Sequence, residues 1–283
     1  MSYAKFGPAG NSDSFDERYK EFSKIPKYVS EMNLDFYEYQ FGRGVRMQTK
    51  SAETLKAEAK AYDITLTAHA PYYITLSSED ETKRIGSIRY FIETAKAVTE
   101  MGGNRIIVHS GSVGKRSRAQ ALKLACDTMG MAIDKLDEAG YSDVIVCPET
   151  MGKVGQLGDL DEVLTLCMVD ERIIPCIDFG HLNARTNGGI KGEDDYKSIL
   201  QQMENAIGNE RIKQFHSHFS KIEYTAGGEK RHLTFSDRLF GPDPAPLMKL
   251  IAKLNLHPYI VCESDGTQAE DAFSMKQMYL QNI

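Results

Sequence analysis

A short run of β-branched and aromatic residues followed by an amphipathic stretch recurs eight times along these 283 residues, and no other feature narrows the fold so far. "YAKFGPA" leads to a helical stretch over residues 15–32, and "LDFYEYQF" to one over 52–62 with Ser51 placed to cap it. "ITLTAHA" precedes a stretch over 79–101, "RIIVHSG" one over 118–139, and "DVIVCPE" one over 160–169 that Asp159 opens. "IIPCIDFG" leads to 194–207, "RIKQFHSHF" to a long loop and then 244–254, and "HPYIVCES" to 268–280. Eight β/α units close a (β/α)8 TIM barrel of the α/β class. An open doubly wound sheet would want a glycine-rich phosphate turn after an early strand, and "GPAG" and "SGSVG" are poor matches. Nothing reads as a linker, so residues 1–283 form a single expected domain.

The polar residues fall where such a barrel does its chemistry, at the C-terminal ends of the strands. His69 ends the third strand, His109 the fourth, Glu149 the fifth, Asp178 the sixth, His216 the seventh and Glu263 the eighth. A lone strand-end histidine is more often a hydrogen-bonded structural residue than a ligand. Six such groups on one rim are different, because Glu149, Asp178 and Glu263 would repel one another without cations between them. One tetrahedral or five-coordinate ion cannot use them all and keep a place for water. We assign His69, His109 and Glu149 to one ion, and Glu149, Asp178, His216 and Glu263 to a second, with Glu149 as the bridge. Glu149, Asp178 and Glu263 are the catalytic candidates. Paired ions about 3.5–4 Å apart suit phosphoryl chemistry. The imidazole-rich set favours zinc, while manganese or iron(II) would accept the same groups. A third ion would fall to His181 and His232, although spacing alone does not place His232. His257, at the start of a strand, reads as structural.

Composition trims the alternatives. The formal charge of -6 advertises no global basic field. A local basic rim would still serve for nucleic acid, from Arg43, Arg46 and Lys50, from Lys115, Arg116 and Arg118, or from Lys230 and Arg231. Solvated loop charge is the bland reading of each cluster. No apolar stretch is long enough to cross a bilayer and no signal-peptide core opens the chain, so a cytoplasmic protein without membrane contact is expected. The five cysteines show no disulfide or CxxC spacing. Alternation places Cys147 and Cys176 inside the barrel as small buried thiols.

These residues resemble endonuclease IV, the zinc-dependent abasic-site endonucleases of the xylose-isomerase-like barrel superfamily. The likeness rests on His69 in "TAHAPYY", His109 in "VHSGS", Glu149 in "PETMGKVGQLG", Asp178 and His181 in "CIDFGH", His216 in "FHSH" and Glu263 in "VCES". It runs nearly the whole chain, strand by strand. The resemblance implies a trinuclear zinc site and hydrolysis of the DNA phosphodiester 5′ to an abasic site by metal-bound hydroxide, in base excision repair. It also implies a flipped-out target nucleotide in bent double-stranded DNA, with Tyr72 entering the duplex and Arg43 inserting beside it, and a monomeric enzyme. Tyr73 and Arg43 read equally well as ordinary rim residues. The family pattern is broken in two places. Its Asp-x-His pair after strand seven becomes "EKRH" here, with His232 in place, Lys230 where the Asp belongs and Glu229 one residue earlier. Its Asn-Asp pair after the strand-seven histidine becomes Ser217 and His218.

Two rivals stand beside the endonuclease. A sugar or cyclitol isomerase or epimerase of the same superfamily would use the Glu149, Asp178, His216 and Glu263 quartet on one ion, with carboxylates moving the proton. His69 and His109 would then be superfluous. A non-enzymatic barrel with a structural metal would want closed ligation, which a carboxylate-rich rim does not suggest.

Overall fold

A computed structural model describes residues 3–283. Ten strands run in chain order: β1 (Lys5–Pro8), β2 (Phe36–Gln40), β3 (Thr65–His69), β4 (Arg105–Val108), β5 (Ile145–Pro148), β6 (Cys176–Asp178), β7 (His216–Phe219), β8 (Lys221–Thr225), β9 (Gly228–Leu233) and β10 (Tyr259–Cys262). Two four-stranded parallel sheets, β2-β3-β4-β5 and β1-β10-β7-β6, make up the barrel wall. Parallel bridges between Ala9 and Glu38 and between Glu149 and Cys176 join the two sheets on both sides. The wall therefore closes through β1–β7 and β10, the eight-unit order that the alternation predicts.

Period two within the strands decides what lies inside. On β2, Phe36 and Glu38 point inward with Gln40 above them, while Tyr37 turns to the helices. Ala9, Phe36 and Val261 form a small apolar cluster of their own inside the barrel, with Tyr259 against it. The larger core lies outside the wall, where Ile106, Val108 and Val146 meet helical residues such as Phe91, Ala125 and Met129. Parallel strands buried on both faces read as nearly continuous apolar runs, as "RIIV" does here.

Local chemistry explains the helix starts and some departures from expectation. Asp159 opens its helix (Leu160–Leu166) through a capping box with Glu162. Ser51 does not cap: the helix starts earlier, at Thr49, with Gln48 before it. The stretch expected over 15–32 is broken into Asp13–Arg18, a 3-10 turn at Phe22–Lys24, and Ile25–Glu31 with Pro26 in its first turn. The long loop expected after β7 is instead an antiparallel hairpin, β8–β9. A short helix, Phe179–Arg185, follows β6 directly, ahead of the stretch expected over 194–207.

Candidate metal centre

The strand ends bring His69, His109, Glu149, Asp178, His218 and Glu263 together at one rim, and His69, His109, Glu149 and Glu263 line a recess there of about 320 Å³. Glu149 stands at the centre. Its Oε2 lies 3.1 Å from His69 Nε2 and 3.1 Å from His109 Nε2. Its Oε1 lies 3.2 Å from His181 Nδ1 and 3.2 Å from His218 Nδ1. Among the described residues, three groups of ligating atoms meet at the rim, each within 4.8 Å, His69–His109–Glu149, Glu149–Asp178–His218–Glu263 and His181–Glu229–His232, and a fourth, Cys176–His216–His218, lies below them. Imidazole and carboxylate at this density form donor sets that could hold divalent metal ions.

Burial makes the arrangement costly without compensation. Glu149 and Asp178 are almost completely buried, and Asp178 Oδ2 has no hydrogen-bond partner. Asp178 Oδ1 accepts the His181 N–H at 2.7 Å, so one oxygen caps the short helix and the other is left for the site. Burial alone would raise the Glu149 carboxyl, but His218 and hydrogen bonds from His109, His181 and His218 hold it well below the carboxylate range. Burial raises Glu263, the charges of His218 and His232 opposing it. A buried carboxylate oxygen that makes no hydrogen bond, with an imidazole nitrogen 3.2 Å away, fits a bound cation.

Second partners set the direction of the imidazoles. His69 Nδ1 lies 2.7 Å from the Ala70 carbonyl, His181 Nδ1 lies 2.9 Å from the Thr150 carbonyl, and His232 Nδ1 lies 2.8 Å from Ser220 Oγ. His69 and His232 thereby keep Nε2 for the site, while His181 turns Nδ1 to Glu149 as well and Nε2 to Glu229. Against the effect of burial, Asp178 and Glu149 raise His181 well above the ordinary imidazole value of 6.5. Burial likewise opposes the rise of His218, which Cys176 and Glu263 drive. A ligand nitrogen must be bare, so protons compete with metal at those two histidines even above pH 6.5. Metal affinity is therefore expected to fall on acidification, by about tenfold per pH unit for each proton displaced. Titration of the stripped protein with zinc at several pH values measures this, and a pH-independent affinity would contradict it.

His216 is the residue that sequence reasoning misplaces. It is fully buried one layer lower, with Nε2 bonded to Glu38 Oε2 at 2.9 Å. His218, two residues on and facing the same way, reaches the rim instead. The reason is register: Asp178, the rim residue of β6, pairs with His218, while His216 pairs with Cys176 below. Glu38 was missed altogether, although a carboxylate alternating with aromatics in "FYEYQ" is a visible sign of an inward polar residue.

The break in the Asp-x-His pattern is resolved by a β-bulge. In the hairpin Arg231 pairs with Glu223 and Glu229 with Tyr224, so Lys230 is an extra residue on β9. A bulge lets two successive side chains share a face. Lys230 and Arg231 both turn outward to Glu223, at 2.5 and 2.7 Å. Glu229 is thereby returned to the face of His232. Its Oε2 is 3.5 Å from His181 Nε2 and its Oε1 3.8 Å from His232 Nε2. Close backbone approach carries the hairpin in: a Cβ on Gly228 would sit 2.1 Å from the Gly152 carbonyl oxygen, and one on Gly152 would meet Glu229 and His181. Lys230→Asp is accordingly expected to add no bound metal, since residue 230 faces away from the site. Metal analysis showing an extra equivalent would overturn that reading.

Tyr72 is exposed and borders the recess. The Tyr72 N–H lies 3.4 Å from the Gly42 carbonyl, which brings the loop carrying Arg43 beside it. Of the expected basic rims, Arg118 is tied to Glu162, Arg116 to Glu79, and Lys230 and Arg231 to Glu223. A larger recess of about 570 Å³ lies outside the rim beside Leu182 and Ile190. Of its carboxylates, Asp159 and Asp195 are committed to capping helices and Asp161 accepts from Gln202, and no histidine lines it, so it offers no comparable chemistry. Cys147 and Cys176 lie inside the barrel, and burial pushes the Cys147 thiol up to about 12. No helix among the described residues is long and apolar enough to cross a membrane.

A closed parallel barrel with a multi-ligand rim defines a class, and comparison with known proteins gives the family. The chain belongs to the xylose isomerase-like TIM barrel family, whose model it matches over residues 26–281. It is 36% identical over 271 residues to an uncharacterized protein of Methanocaldococcus jannaschii, covering 96% of this chain and 95% of the other. It is 29% identical over 214 residues to the probable endonuclease 4 of Mycoplasma pneumoniae, covering 74% and 70%. Among solved structures, endonuclease IV from Thermus thermophilus superposes with a TM-score of 0.67 at 17% identity, over 99% and 98% of the two chains. A D-tagatose 3-epimerase-like protein superposes with a TM-score of 0.74 at 15% identity, over 98% and 97%. Those two likenesses show the shared fold.

Proposed function

We propose that the chain is a metal-dependent phosphodiesterase of the endonuclease IV type, hydrolysing the DNA phosphodiester 5′ to an abasic site. The observation that carries this reading is the number of ligand groups meeting at the rim. His69, His109 and Glu149 would hold one ion, Glu149, Asp178, His218 and Glu263 a second, and His181, Glu229 and His232 a third. Bound zinc ions, or manganese or iron(II) in their place, would acidify water and neutralise charge on a phosphoryl group. The protein's own part is orientation and charge. Tyr72 and Arg43 would engage the duplex around a displaced nucleotide. Lys153 adds a cation to the wall of the recess, which suits an anionic substrate better than a neutral one. The curated relatives named endonuclease 4 support the same reading.

A sugar epimerase is the second reading, because the Glu149–Asp178–His218–Glu263 group alone would hold the single ion such chemistry uses. It leaves His69, His109, His181, Glu229 and His232 without a purpose. Incision of a duplex bearing one abasic site by zinc-loaded protein decides between them. Cleavage 5′ to the site is expected; a folded, fully metallated protein that leaves the duplex intact would turn the assignment to the epimerase. Tyr72→Ala is expected to weaken binding of the abasic duplex by about tenfold or more, the range of one lost base-stacking contact. Its metal content should not change, because Tyr72 touches no ligand atom; metal loss would show that it serves the site rather than the DNA.

A further inference from the structure

We propose that Glu38 is a positioning carboxylate that turns Nδ1 of His218 toward the metal group at the rim; the inference rests on the metal reading above. Glu38 is fully buried inside the barrel, a layer below the rim, and its two oxygens are divided between two imidazoles. Oε2 accepts from His216 Nε2 at 2.9 Å, and Oε1 lies 3.0 Å from His218 Nε2, a close contact rather than an aligned hydrogen bond. Thr67 Oγ1 and Gln40 Nε2 add hydrogen bonds to the same carboxylate, at 3.4 and 3.0 Å, and hold its plane.

His69 and His109 turn Nε2 to Glu149, whereas His181 turns Nδ1 to it, with the neutral Thr150 carbonyl beside that nitrogen. His218 differs from all three in having its far nitrogen against a carboxylate inside the barrel. Its Nδ1 faces Glu149 at 3.2 Å and Glu263 at 3.5 Å, and its Nε2 faces inward to the carboxylate. A carboxylate on the far nitrogen fixes the tautomer and makes the near nitrogen a stronger donor to a cation. A buried carboxylate is expensive to keep for packing alone, since well-packed apolar side chains commonly replace a buried ion pair without loss of stability. The neighbouring Cys176, His216 and His218 also lie within 4.8 Å of one another. An ion there would claim one of the two His218 nitrogens, both of which are engaged when Glu38 meets Nε2 and the rim group meets Nδ1, so one arrangement excludes the other.

The experiment uses full-length protein stripped with a chelator: wild type, Glu38→Gln, Glu38→Asp, His218→Ala and the Glu38→Gln/His218→Ala double variant. Zinc affinity is read by competition with a chromogenic chelator, and folding by circular dichroism. Glu38→Gln presents an amide N–H₂ to one of the two imidazoles and is expected to weaken one zinc by about 10–100-fold, leaving the other ions as in wild type. Glu38→Asp, which keeps the charge, should restore part of that loss, and it carries the test if the glutamine variant does not fold. In the His218→Ala background Glu38→Gln should cost nothing further, because its effect passes through that ring. Unchanged affinity in a folded Glu38 variant, or a loss that persists without His218, would overturn the proposal. So would a thiolate-to-cobalt absorption band in the cobalt-loaded protein, which would put an ion on Cys176. Wild type that binds no zinc would instead overturn the metal reading on which it rests.

Discussion

Glu149→Gln is expected to reduce incision of abasic duplex by about three orders of magnitude or more. Glu149 is shared by two ligand groups, and its two oxygens face four imidazoles at 3.1–3.2 Å. An amide keeps the shape but brings one neutral acceptor where two charged ones stood, and its N–H₂ faces two imidazoles. Metal-ion stabilisation of a phosphoryl transition state is worth several kcal/mol. At about 1.4 kcal/mol per decade, its loss is about 10³-fold in rate. Metal analysis of the same variant should show fewer bound ions per chain than wild type. A variant that turns over near the wild-type rate would remove Glu149 from the chemistry and with it the bridged-ion arrangement.

His218→Ala should be nearly as damaging to activity, and His216→Ala should not be. The two residues are separated by one position, and both are fully buried. Only His218 contributes to the Glu149–Asp178–Glu263 group. In the proposed arrangement its removal would take a ligand from one ion, and incision is expected to fall about 10³-fold by the same reckoning. Burial pushes His216 down to about 4, so it is a neutral imidazole packed 6.2 Å from the Tyr259 ring and bonded to Glu38. His216→Ala leaves a cavity and one unpaired Glu38 oxygen, which together should lower folding stability by about 2–4 kcal/mol. Its zinc count should match wild type once the protein is folded. Thermal melts and metal analysis of both variants read the difference, and loss of metal in a folded His216→Ala protein would reverse the assignment.

Much of this protein is legible residue by residue. The alternation of "ITLTAHA" or "RIIVHSG" with amphipathic stretches determines eight units because apolar period is a local property of the chain. His69, His109, Glu149, Asp178 and Glu263 announce themselves because a polar residue ending an apolar strand must have a partner somewhere. Asp159 is readable as a cap because Glu162 completes its box three residues on. What failed to read were features set by register. "FHSHF" offers two histidines on one face, and nothing in the run says which is level with the rim. The pairing of β6 with β7 settles it.

The same division holds at Glu38 and in the β8–β9 hairpin. Residue types, their order and their facing along a single strand follow from the sequence itself, since side-chain direction alternates with a period of two. The chain alone thus determined a metal-competent barrel rim. Only tertiary structure decided that Glu38, 178 residues before His216, would lie between His216 and His218. Only the bulge at Lys230 decided that Glu229 faces His181. Closure of the barrel brings β2 and β7 side chains to one interior point, and a bulge depends on how two strands pair; neither distance is encoded in any local pattern.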